Sequence, residues 1–141
     1  MPRLIVETRP EPLPLAFAGD SSDLVWFLSF AAVEQFGSQH ELSQAAMLLR
    51  HKHKLRLAPL LRFAAAGDDD AEELERVWQA AGPLAEVAAA VAGTLTASPA
   101  DAQLAACTEG FPQIAARLAE LAALAGWAAE HGCEVRLTYE L

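Results

Sequence analysis

Two histidines separated by one lysine have the residue types and spacing of a metal-chelating pair. His51 and His53 form a His-x-His pair. On a β-strand both imidazoles would lie on one face and could chelate a divalent metal ion, whereas residues two apart on an α-helix do not face each other. A zinc site would therefore need the strand conformation and further ligands from a distant segment, for which His131, Cys133 and Glu134 are available. The neighbouring cations would oppose a dication, and the sequence indicates no other cofactor.

The same histidines lie in a basic segment, residues 50–62. It holds half of the chain's ten Lys and Arg residues and no acidic residue, whereas residues 63–141 carry three Lys or Arg against thirteen Asp or Glu. Three interpretations are open: the segment pairs with an acidic helix that starts at Asp68, within the subunit or across a dimer; it binds phosphate or nucleic acid; or it is a solvated face. The candidate binding residues are Arg50, Lys52, Lys54, Arg56 and Arg62.

The conformation of this segment is ambiguous in the sequence. Ser38 and Glu41 have the spacing of a capping box, which predicts a helix start and explains Glu41 without a catalytic role. Lys52 and His53 interrupt the apolar stripe that begins at Leu42, so the helix pattern fails there. We expect the helix to reach about His53 and an irregular or short extended piece to follow it.

Motifs of nucleophilic, phosphate-binding and zinc-protease enzymes are missing from the sequence. There is no G-x-S-x-G, no glycine-rich phosphate loop, no C-x-x-C and no H-E-x-x-H. His40-Glu41 begins like the last of these, but Gln44 stands where the second histidine is required. A catalytic group could still be assembled from dispersed residues, so the sequence leaves an enzymatic activity open and favours none.

The ends of the chain predict the sheet that would organise these residues. Apolar residues from Pro112 onward recur at helical spacing up to Gly132, which suits a left-handed helix stop. Residues 134–141 then alternate as in a strand, and residues 3–8 are its natural partner. The fold class predicted is α+β and mainly helical, with several antiparallel helices and a small sheet that pairs the N-terminal and C-terminal strands.

One domain is expected over residues 1–141. It comprises an N-terminal strand and proline-rich arm over 3–18, a helical body over 21–131 and the strand 134–141. The arm could pack on its own core or cross to a second subunit. Within the body we expect helices over about 22–36, from Ser38, from Asp68 to about Ala81 and after Pro83, with a short one after Asp101. Tryptophans 26, 78 and 127 would share one core layer.

Composition favours an interaction module over an enzyme. The chain is 53% hydrophobic with a net charge of −9, so it has much apolar surface to cover and would repel nucleic acid overall. No stretch is long and apolar enough for a membrane span, and the two cysteines form no disulfide framework. We therefore predict a cytoplasmic, bacterial-type homodimer whose basic segment contacts an acidic protein surface; the alternative is a metal- or anion-dependent ligand-binding protein or enzyme that uses His51 and His53.

Overall fold

Six helices and four strands make up the computed structural model, which describes all residues from Met1 to Leu141. The predicted class, α+β and mainly helical, is confirmed. No helix is both long and apolar enough to cross a membrane. The helices are α1 Ser22–Ala32, α2 Glu41–His51, α3 Ala71–Arg76, α4 Ala81–Leu95, α5 Ala102–Thr108 and α6 Ile114–Glu130, and the strands are β1 Arg3–Arg9, β2 Phe63–Ala65, β3 Trp78–Ala80 and β4 Glu134–Glu140.

Strand β4 lies at the centre of the sheet. Its antiparallel pairing with β1 is confirmed, with Arg3 opposite Glu140 and Arg9 opposite Glu134, and both of these pairs form salt bridges. Its other edge is shared by β2, which is parallel, and by β3, which is antiparallel. The alternation in β4 places Val135 in the core, because side chains one apart point to opposite faces of a sheet.

The helix predicted from Asp68 to about Ala81 is wrong in its second half. It ends at Arg76, and the next residues form β3. The free edge of β4 accounts for the change, since strand pairing there satisfies backbone groups that a longer helix would leave without partners. Trp78 lies opposite Arg136 in this pairing, and the guanidiniums of Arg9 and Arg136 lie 4.3 and 4.6 Å from its ring centroid.

Aliphatic side chains, and not tryptophans, fill the core. The expected shared layer of Trp26, Trp78 and Trp127 is wrong, because Trp26 is 39% exposed and Trp78 lies under the two arginines. Helices α4 and α6 pack against each other, and their apolar stripes supply much of one cluster of 27 buried residues. Fully buried members of this cluster include Phe27, Leu42, Leu49, Leu84, Leu118, Leu121 and Leu137.

The end of helix α6 agrees with its prediction, whereas the start of helix α2 does not. Gly132 ends α6 with a φ of 66°, as predicted. The capping box predicted for Ser38 and Glu41 is wrong, because α2 begins at Glu41 and its N-cap is His40. The His40 ring stacks on Phe30 at 3.6 Å, which places its Nδ1 3.1 Å from the Leu42 amide that donates to it.

Candidate binding site

The basic segment is a helix end followed by a turn. Helix α2 ends at His51, close to the predicted end, and a 3₁₀ turn forms over Ala58–Leu61. Between them Lys54 adopts a φ of 59°, a left-handed conformation that costs a non-glycine residue about 1 kcal/mol. This turn leaves Lys54 and Arg56 exposed, whereas Leu57 is buried. The strand conformation considered for His51 to Leu57 is not formed.

Three of the five predicted cations are already bound within the chain. Arg50 forms a salt bridge of 2.9 Å with Glu34, in a 3₁₀ turn over Glu34–Phe36 that follows α1. Lys52 lies 3.0 Å from a carboxylate oxygen of Asp101. The third, Arg62, donates to the carbonyl oxygen of Arg76 at 2.7 Å, so it caps the acidic helix α3 without touching its carboxylates.

Lys54 and Arg56 form no salt bridge and no side-chain hydrogen bond in the chain. No residue of the basic segment forms a salt bridge with a carboxylate of α3, so its pairing with the acidic helix of the same subunit is limited to the contact of Arg62 with the carbonyl oxygen of Arg76. Pairing across a dimer stays a prediction. The side chains available to a partner are those that the turn at Lys54 presents to solvent.

These two free cations border a shallow hollow of about 550 Å³, which we call the basic hollow. Arg50 and His51 stand on the same rim, and no carboxylate lines the hollow. Its apolar lining is Leu55, Leu57, Ala58 and Leu61. An anion that entered would meet two free cations, Lys54 and Arg56, above an apolar floor, because Arg50 is already bound to Glu34.

Asp101 joins the end of α2 to the start of α5. One of its oxygens accepts from the amides of Gln103 and Leu104 as the N-cap of α5, and the other lies 2.8 Å from His53 Nε2. The hydrogen bonds from His53 and then Lys52 hold the pKa of the Asp101 carboxyl well below its usual range. Both carboxylate oxygens are therefore occupied by contacts that hold the end of α2 against the start of α5.

The predicted metal ligands are not brought together. His51 lies in the basic hollow, His53 is bound to Asp101, and His131 stacks on Trp127 at 4.2 Å just after α6. No group of three or more His, Cys, Asp or Glu residues could hold a metal ion. Cys133 is buried and makes a weak contact with the carbonyl of His131.

Exposed apolar residues beside the basic hollow were missed in the sequence. The helix predicted over about 22–36 ends at Ala32, and the 3₁₀ turn that follows it reaches solvent. Phe36 is 80% exposed, and Val33 and Met47 are each 42% exposed. The sequence carries a signal of this exposure, because Glu34 and Gln35 stand between Val33 and Phe36, a mixture typical of a helix end at the surface.

The proline-rich arm turns back along β1. Phe17 packs against the chain's own core, and Leu15 stays 46% exposed. A cleft of about 280 Å³ lies between the arm and β1, lined mainly by apolar residues such as Leu13 and Val6. This cleft shares no lining residue with the basic hollow.

No family model matches this chain, and searches of curated proteins and of solved structures find no match either. Its function is therefore argued from the basic hollow itself.

Proposed function

We propose that this protein is a non-enzymatic interaction module that self-associates and whose basic segment binds an acidic protein surface. The observation that carries the proposal is the basic hollow, in which Lys54 and Arg56 form no salt bridge within the chain and which no carboxylate lines; Glu86 lies in an adjoining hollow that the same two cations border. Lys54 and Arg56 contribute directly, and Arg50 and His51 line the same rim.

Charge alone would give little affinity here. An exposed ion pair contributes about 0.2–1 kcal/mol, so two free cations account for weak binding at most. The apolar floor supplies the rest, because burial of one leucine-sized or phenylalanine-sized side chain contributes about 1.5–3 kcal/mol. A protein surface that combines carboxylates with an apolar side chain fits the hollow better than a free anion does.

Nucleic acid is the less suitable partner. The net charge of −9 opposes a polyanion outside the hollow, and no aromatic side chain lines the hollow to stack on a base. The alternative function, a metal- or anion-dependent ligand-binding protein or enzyme that uses His51 and His53, has less support because His53 is bound to Asp101. The free thiols of Cys107 and Cys133 agree with the cytoplasmic location that we include in the proposal.

Fluorescence anisotropy with a labelled glutamate-rich peptide tests the proposal. In Lys54→Glu/Arg56→Glu the peptide should bind at least about tenfold more weakly, because two attractions become repulsions. The matched control is Arg3→Glu/Arg76→Glu, which changes the net charge equally at two exposed arginines outside the hollow. Equal weakening in both double variants would contradict the proposal, as would no binding by the wild-type protein when it is dilute enough to be monomeric.

A further inference from the structure

We infer that the partner that fits the basic hollow is a second copy of this chain, which inserts its Phe36. The inference rests on the proposed function, because it assigns an occupant to the same hollow. It depends on three observations: an exposed aromatic side chain, its position next to the hollow, and the charges around each of them.

Phe36 projects from the surface at the end of a short turn. It is the last residue of the 3₁₀ turn. Gly37 follows with a φ of 88°, a left-handed conformation that changes the direction of the chain directly after Phe36. With 80% of its surface exposed, its ring makes little contact with its own chain. Among residues away from the chain ends, no large hydrophobic residue is more exposed. An exposed ring of this kind is typical of an interface anchor.

The ring and the hollow are neighbours in the fold. Glu34, two residues before Phe36, is bound to Arg50 on the rim of the hollow. Met47, which is also exposed, precedes Arg50 and His51 by one helical turn and so lies on the same side of α2. The anchor and its receptor site therefore share one face of the molecule.

This adjacency selects a closed dimer. In a twofold arrangement the same patch meets itself, so each copy can insert Phe36 into the hollow of the other. If the anchor and hollow were on opposite faces, the same contact would join subunits head to tail, into a ring or an open chain. The hollow is shallow and open to solvent, and its volume of about 550 Å³ is large enough to accept a benzyl group against the apolar floor.

The charges on the two sides of the contact are unequal. Glu34 is the one charged residue in 34–38, and it is already bound to Arg50, with 17% of its side chain exposed. Lys54 and Arg56 on the rim are free, so a second copy of a chain with a net charge of −9 offers them more carboxylates than cations. Val33 and Met47 would extend the apolar contact around the ring.

Sedimentation equilibrium of the full chain tests this inference. We expect a dimer for the wild-type protein at about 100 µM and a loss of at least about 100-fold in dimer affinity for Phe36→Ala, because the change removes two buried rings per dimer. Leu15→Ala is the matched control, since Leu15 is an exposed apolar residue in the arm and its loss should leave the dimer intact. A monomeric wild-type protein, or equal effects of the two variants, would overturn the inference.

Cross-linking tests the pairing directly. Gln35→Cys and Ala58→Cys place thiols beside the anchor and in the hollow, at two exposed positions, and Cys107→Ser removes the partly exposed native thiol from both proteins. A mixture of the two proteins should form disulfide-linked dimers faster than either protein alone. Equal rates in the mixture and in the separate proteins would overturn the pairing.

The peptide assay separates the two proposals. Phe36→Ala should bind the glutamate-rich peptide at least as tightly as the wild-type protein does, because its hollow is free. Peptide binding without a wild-type dimer would overturn the inference and leave the proposed function standing. Dimer formation without peptide binding by either protein would overturn the acidic-surface proposal, and the anchor would then act through its apolar contact alone.

Discussion

Leu137→Ala should be strongly destabilising because Leu137 lies in the central strand. Its side chain is fully buried, and its backbone lies between Val6 of β1 and Phe63 of β2. Truncation of a buried leucine costs about 2–5 kcal/mol, and more where the surroundings cannot close the cavity. Strands on both sides hold β4 in place, so we expect a cost in the upper half of that range, about 4 kcal/mol. For a chain of this size the melting temperature should fall by about 15 °C.

Urea unfolding followed by far-ultraviolet circular dichroism measures this cost. The midpoint should fall while the slope with denaturant stays constant, since the area exposed on unfolding hardly changes. Leu141→Ala is the matched control, because Leu141 follows β4 and is 87% exposed. It should change the free energy of unfolding by less than about 0.5 kcal/mol. A loss below about 1 kcal/mol for Leu137→Ala would refute the central position of β4.

Three further predictions concern other parts of the fold. Asp101→Asn keeps a helix N-cap but removes a carboxyl whose pKa is depressed in the folded state. The wild-type protein should therefore lose stability relative to the variant as the pH falls below about 4. Urea midpoints of both proteins at pH 5 and pH 2.5 measure this difference. Trp78→Leu removes the ring beneath two guanidiniums and should cost about 1–2 kcal/mol in urea unfolding; an unchanged midpoint would show that neither contact contributes. Lys54→Gly should raise the free energy of unfolding by up to about 1 kcal/mol, because glycine adopts a positive φ without strain. The same change should weaken peptide binding in the anisotropy assay. A loss of stability would show that the turn at Lys54 is not strained.

The sequence predicted elements that have a clear local pattern. Helix α6 has a continuous apolar stripe and a glycine stop, and β4 has a strict alternation, so both follow from periodicity. Strands β2 and β3 have only three residues each, too few to show a period. They form because β4 has an open edge, which is a property of the assembled sheet.

The candidate site was only partly predictable for a similar reason. Its five cations stand out by composition, but the sequence does not separate Lys54 and Arg56, which are exposed and free, from the other three. Which cations are bound within the chain depends on partners far away in the sequence, as for His53 and Asp101, which are 48 residues apart. The exposure of Phe36 depends on where α1 ends, and helix boundaries are set by capping contacts that apolar content does not reveal.

Amide chemical shifts of the isotopically labelled protein, recorded while the glutamate-rich peptide is added, test the central claim most directly. The largest changes should fall on residues 50–61, which form the basic hollow, and should be absent in Lys54→Glu/Arg56→Glu. Residues 34–37 should also shift if the peptide displaces the second copy's Phe36. Changes centred on Arg3, Arg9 or α3, or no change at residues 50–61 at a saturating peptide concentration, would contradict the assignment of the basic hollow as the binding surface.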